Sequence, residues 1–269
     1  MKTTEAILET NKKQKEFYNN NSKQNFFTKI WAKFRNGLLN TIRKTIGIQD
    51  QAYLLHKEWF GDLSNKKVLD LGCYSGNYWS LYLAENAKDY LGIDLSDVAI
   101  AKLNERLKPF PNAKAEAVDF LSDDFTQKGF DLIYAYGVLH HFENTNILID
   151  KLNEKLAPKG EIISYDPLQT SWPIKIIRTL YRPFQSDAAW EWPFTKKIFY
   201  QYQKAFAILD RRGLLGKSKW NLFVAVLPIS EEKKKQIGQQ WHHHDWEKSR
   251  TSNRVLFRCM HLTMLMRKK

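Results

Sequence analysis

Between residues 61 and 166, short apolar runs alternate with stretches of helical spacing, and this alternation constrains the fold more than any other feature of the chain. The runs are Val68 to Gly72, Tyr90 to Leu95, Phe130 to Tyr136 and Glu161 to Pro167. Each is short and nearly continuous in apolar character, as a strand buried on both faces must be. Ser96-Asp97 opens the segment after the second run with a side-chain cap and a carboxylate at the positive helix end, and Leu103 and Leu107 continue it four residues apart. Leu148, Leu152 and Leu156 stripe another helix, stopped by Pro158-Lys159-Gly160. Strands interleaved with amphipathic helices predict an α/β fold with a mostly parallel, doubly wound sheet covered on both faces.

The 269 residues are 43% hydrophobic and 26% charged, a globular composition that excludes a disordered or collagen-like chain. Cys73 and Cys259 fit neither a disulfide framework nor a zinc spacing, which favours a reducing, cytoplasmic setting. No run approaches the roughly 18 apolar residues of a membrane span, and the first residues lack a signal peptide's apolar core. Charge is segregated, with residues 1–60 and 167–269 basic and the middle acidic, for a net charge of +13.

In a doubly wound sheet, ligands lie outside the carboxyl ends of the strands, where a loop needs glycine wherever backbone approaches ligand. Gly72 and Gly76 occupy the loop after the first run. Asp94 closes the second run and can accept both hydroxyls of a ribose. Asp119 closes a third run, Ala115 to Phe120.

Leu69 to Gly76 (LDLGCYSG), Gly92 to Ser96 (GIDLS), Ala117 to Phe120 (AVDF), Phe130 to Asn144 (FDLIYAYGVLHHFEN) and Leu156 to Pro167 (LAPKGEIISYDP) together resemble, in order and spacing, the class I S-adenosylmethionine-dependent methyltransferases of small-molecule type. That resemblance implies a Rossmann-like seven-stranded sheet with its last strand antiparallel, and S-adenosyl-L-methionine as cofactor. It places Asp70, Gly72 and Gly76 around the methionine part, Asp94 and Leu95 at the ribose, Asp119 and Phe120 at the adenine, and Tyr136 and Gly137 at the closing edge. Tyr74 departs from the pattern, because the family usually has glycine there.

Methyl transfer from a sulfonium is an in-line displacement, so the protein chiefly aligns the reactants, excludes water and removes a proton where required. His140, His141 and Asp166 are the candidates for that chemistry, since imidazole titrates near neutrality and Asp166 ends the fifth run. Packing and turn formation are the competing roles for all three. No metal site is expected: the three adjacent histidines 242–244, read as a loop or substrate lid, cannot easily share one ion.

The flanks are expected to define the acceptor. Residues 1–60 read as an N-terminal helical cap, 61–166 as the cofactor-binding core, and 167–269 as a substrate-side insertion after the fifth strand, followed by a last helix and two strands. Within the cap, apolar positions 27, 30, 31, 34, 38, 42 and 46 form one stripe, expected to act as a lid, with an interfacial membrane helix and an oligomer contact as the rival readings. Thr195 caps a helix expected to carry Ile198, Phe199, Tyr202, Phe206 and Leu209. The last two strands are expected at Trp220 to Pro228 and Met260 to Lys268. The aromatic, basic segment after Asp166 suits a small hydrophobic or aromatic acceptor bearing an anionic group. Nucleic acid is not the expected partner, because no separate RNA-binding module accompanies the basic charge. An RNA methyltransferase and a cofactor-binding pseudoenzyme or membrane-associated scaffold stand as alternatives.

Overall fold

In the computed structural model, which describes residues 4–19, 33, 37, 39–184 and 188–269, the apolar runs become strands. They are β1 (Lys67–Leu71), β2 (Asp89–Asp94), β3 (Ala113–Ala117), β4 (Phe130–Tyr136) and β5 (Leu156–Pro167), joined by β6 (Phe206–Leu214) and β7 (His261–Lys268). One sheet contains all seven in the order β3-β2-β1-β4-β5-β7-β6. β1 to β5 are parallel, and β7 runs antiparallel to both β5 and β6. The chain leaves β1 toward β2 and β3 and returns to β4 on β1's other side. That reversal opens a crevice at the carboxyl ends of β1 and β4, where an α/β sheet binds its ligand.

The longer helices among the described residues include α1 (Thr4–Asn19), α2 (Gln51–Phe60), α3 (Tyr78–Asn86), α4 (Asp97–Leu107), α5 (Thr145–Lys155), α6 (Trp172–Tyr181), α7 (Lys196–Ala205) and α8 (Glu231–Lys248). Strand alternation divides the core between the two faces of the sheet. Leu69 and Leu71 share one cluster with Leu148 and Leu152 of α5 and Phe199 of α7, whereas Val68 belongs to a second with Phe60, Leu83 and Leu103. Local signals fix the helix starts. The Asn77 side chain accepts from the N–H groups of Trp79 and Ser80, Ser96 from Ala99, and Thr195 from Ile198.

The C-terminal strand assignment is corrected. β6 is Phe206–Leu214, and α7 ends at Ala205, so Phe206 and Leu209 lie on a strand and not on the helical stripe. Residues 220–228 form turns and one helical turn at Asn221–Val224. Among the described residues, β6 is an edge strand paired only with β7. Its Asp210-Arg211-Arg212 sequence is accommodated by an Asp210–Arg212 ion pair and by the Arg211 guanidinium lying over the Phe199 ring, so polar residues conceal the strand pattern. Residues 241–246 are also helical, on α8. His242 is buried against Gln51, and the Asp245 carboxylate accepts from the backbone N–H groups of Lys217 and Ser218 at 2.8 and 3.0 Å, a packed arrangement in place of a solvated loop.

From the N-terminal stripe, Phe27, Ile30, Trp31, Phe34 and Leu38 lie outside the described residues. Ile42 and Ile46 are buried in a cluster with Ile48 and Leu215. Among the described residues, no helix is long and apolar enough to cross a membrane.

Candidate cofactor and acceptor sites

A cavity of about 460 Å³ opens where β1 to β4 end, and Gly72, Asp94, Leu95, Asp119, Phe120 and Gly137 all form its wall. Gly72 has φ +70°, and its N–H donates to the Ile93 carbonyl at 2.8 Å. A Cβ there would collide with Val138, 2.8 Å from that residue's Cβ. Gly137, at φ +71°, faces open space, so its backbone stays accessible from the cavity. Tyr74 keeps a left-handed φ of +48° where the family pattern has glycine, and it lines the same cavity.

The Asp94 carboxylate accepts the N–H groups of Tyr74 at 3.0 Å and Ser96 at 2.9 Å. Burial raises its pKa while these bonds oppose the rise, so the group is held in place by the loops it joins. Asp119 accepts from Leu121 N–H at 2.9 Å through one oxygen and from the Asn11 amide at 2.7 Å through the other. Asn11, Gln14 and Tyr18 of α1 cover the cavity. Their spacing of three and four puts them on one helix face.

The remaining candidates stand behind the wall. Asp70 is buried, accepts from the Tyr90 hydroxyl at 2.8 Å, and has its pKa raised to about 6 by burial, against the hydrogen bonds of Ser80 and Tyr90. Gly76, at φ +79°, packs against Leu103 and shapes the loop from outside the cavity. His140 Nδ1 lies 2.9 Å from Asp166, which also accepts the His140 backbone N–H at 3.1 Å. Burial lowers the His140 pKa to about 4 and raises that of Asp166 to about 7, so the imidazole is neutral at physiological pH. His141 does reach the cavity. Its Nδ1 lies 2.7 Å from the Trp190 carbonyl, which can only accept, so Nδ1 carries the proton and Nε2 keeps its lone pair.

Tyr136 belongs to a second cavity, of about 570 Å³, at the same sheet edge. Tyr53, Tyr136, Tyr165 and His261 stack in series with ring centroids 5.4, 4.8 and 5.4 Å apart. Arg43 and Lys44 join the wall from the helical stretch 39–46. Consecutive residues at the end of β4 line the two cavities, Tyr136 the second and Gly137 the first.

The first cavity's groups suit S-adenosyl-L-methionine: strand-end carboxylates for hydroxyl and amine groups, open glycine backbone for the amino-acid end, and a slot including Ile93, Val118 and Phe142 for a planar base. A family model described as a methyltransferase domain matches residues 48–213. The chain belongs to the class I S-adenosylmethionine-dependent methyltransferases. Among this methyltransferase's relatives, the tRNA U34 carboxymethyltransferase of Pseudoalteromonas atlantica is 30% identical over 102 residues, covering 38% of this chain and 32% of that protein. The carboxy-S-adenosyl-L-methionine synthase of Helicobacter pylori is 29% identical over 116 residues, covering 42% and 48%. The methyltransferase thus spans from about a third to half of the length of these relatives. Its fold is shared with the N-methyltransferase NodS from Bradyrhizobium japonicum WM9, solved with S-adenosyl-L-homocysteine, at a TM-score of 0.52 and 16% identity over 82% of this chain and 87% of that one.

Proposed function

We propose that this methyltransferase moves a methyl group from S-adenosyl-L-methionine to a small hydrophobic or aromatic acceptor with an anionic group, held in the second cavity. The supporting observation is that cavity's wall, four stacked rings beside Arg43 and Lys44, one peptide away from the cofactor cavity. When bound, the cofactor supplies a methyl group already activated on a sulfonium. The rings orient an apolar or planar body and exclude water, and the Arg43 guanidinium answers a carboxylate or phosphate. Burial pushes the Tyr165 pKa up to about 12, against the effect of Arg43, and raises that of Tyr136, so both phenols donate hydrogen bonds and neither serves as a base. His141 is the group assigned to take a proton from the acceptor. Burial and the neighbouring His140 lower its pKa, leaving it unprotonated at neutral pH, and the Trp190 carbonyl sets its tautomer. His140 and Asp166 brace the segment that carries it.

An RNA acceptor is the second reading, favoured by the net charge of +13 and by relatives named for a tRNA reaction. Release of S-adenosyl-L-homocysteine, measured with a panel of small aromatic and aliphatic carboxylates and phosphates beside bulk tRNA, separates the two. Turnover of small anions is expected, with Arg43→Gln raising the acceptor KM by about 10-fold or more, the scale of one hydrogen bond to a charged group, and leaving the cofactor KM unchanged. Turnover of tRNA alone would overturn the proposal.

A further inference from the structure

We infer that the methyltransferase docks on an anionic lipid surface through α6 and the segment 220–227. An ordinary surface helix turns apolar residues inward and polar residues outward. α6 buries Ile174 on its inner side, yet exposes Trp172 at 73%, Ile176 at 51%, Ile177 at 47% and Leu180 at 70%. Trp172, Ile176 and Leu180 follow one another four residues apart and therefore lie along one line of the helix. Segment 220–227 repeats the feature independently, exposing Phe223 at 57% and Val226 at 80%, with Trp220 stacked on Phe223.

The two segments share an origin. α6 follows the carboxyl end of β5, and residues 215–227 follow the carboxyl end of β6. Only β7 separates those strands, so the segments leave the sheet about 10 Å apart, at two inter-strand spacings, on the edge where both cavities open.

Charge selects the occupant. Residues 167–182 and 211–230 contain no aspartate or glutamate, while Lys175, Arg182 and Lys217 are exposed in them. A second copy seated on α6 through the same surface would bring like charges together with no carboxylate from these segments to answer them. A layer of anionic headgroups answers every cation, with the indole at the headgroup level and the aliphatic side chains just below it. Docking of this kind does not depend on the identity of the acceptor.

The test is co-sedimentation of the full chain with phosphatidylcholine vesicles containing about 30% phosphatidylserine, compared with pure phosphatidylcholine, at low and high salt. Binding is expected to the anionic vesicles and to weaken with salt. The triple variant Trp172→Ser, Ile176→Ser, Leu180→Ser and the pair Lys175→Glu, Arg182→Glu should each lower partitioning by about 10-fold or more. Calorimetry with S-adenosyl-L-methionine should return unchanged affinity for both, which shows that the fold survives. Equal partitioning of wild type and the triple variant, or no partitioning at all, would overturn the inference. So would a lipid-free dimer, seen by sedimentation velocity, that the triple variant dissociates, because the occupant would then be a second copy.

Discussion

The first cavity, proposed to hold the cofactor, takes most of its wall from the ends of β1, β2, β3 and β4 and the loops that follow them, whereas the second cavity gathers Arg43, Tyr53, Tyr136, Tyr165, Leu214 and His261 from widely separated parts of the chain. In the first, each strand delivers its functional group within a few residues of its own end, so chemistry and fold share one local sequence. In the second, a residue's role depends on which distant segment packs against it. One cavity is therefore sensitive to backbone geometry at single positions, and the other to the side chains that meet there.

The largest expected effect sharpens this contrast. Gly72→Ala places a methyl group against Val138 at a φ of +70°, whereas Gly137→Ala has nearly the same φ, +71°, and nothing within 4 Å. Strain at such a φ costs about 1–3 kcal/mol, and overpacking adds about 1–3 kcal/mol only at Gly72. Thermal or denaturant unfolding should show Gly72→Ala to be the more destabilising by about the overpacking amount. Equal losses would show that steric closure against Val138 does not shape the loop.

Asp94→Ala comes next. It removes a carboxylate that lines the cavity and also joins the β1 and β2 loops through Tyr74 and Ser96. Calorimetry should show S-adenosyl-L-methionine binding weakened by about 1.5–3 kcal/mol, the usual loss for hydrogen bonds to a charged group. Unchanged affinity would remove Asp94 from the cofactor site.

Legibility in the sequence followed the same division. β1 to β4, the second half of β5, the Ser96 cap and six residues of the first cavity's wall could be read because each signal is complete within a short window, whereas Leu156, read as the end of a helical stripe, begins β5. β6 could not, since an edge strand carrying Asp210-Arg211-Arg212 lacks apolar alternation, and the more apolar residues 220–228 attracted the strand assignment instead. The α1 contribution was hidden for a different reason. Asn11 meets Asp119 across 108 residues, and an amide on a polar helix carries no mark of the partner it will find. Tyr136, expected to close the cofactor pocket, lines the second cavity because it alternates with its neighbours about the strand, whereas Gly137 lies beyond the strand end.

Beneath the stacked rings, His56 gives the second region a pH dependence of its own. Its ring nitrogens lie 3.2 Å from the Tyr134 hydroxyl and 2.8 Å from Thr263 Oγ1, and burial lowers its pKa from 6.5 to about 3. Between those values the unfolded chain binds the proton and the folded chain does not. Stability from this group is thus complete above pH 6.5 and falls by about 1.4 kcal/mol per pH unit well below it. Asp70 and Asp166, raised to about 6 and about 7, act in the opposite direction, stabilising the fold as pH falls from those values toward 3.8. The informative quantity is therefore the stability difference between wild type and His56→Gln, which should narrow from pH 7 to pH 5. A constant difference would show that His56 takes up its proton in the folded state.

The smallest effect belongs to the place where the contrast weakens, because α1 brings distant residues to an otherwise locally built cavity. Asn11→Ala removes one amide hydrogen bond to Asp119 but leaves Asp119's bond from Leu121 in place. A single hydrogen bond of this kind contributes about 0.5–1.5 kcal/mol net, so a change of roughly 2- to 10-fold in cofactor affinity is expected. If α1 acts as a cover, its loosening should speed cofactor release while association stays near its original rate, because the loops that first receive the cofactor are untouched. Stopped-flow measurement of both rates separates this from a direct loss of recognition at Asp119. A slower association with unchanged release would assign Asn11 to preparing the open site and place α1 with the locally built wall.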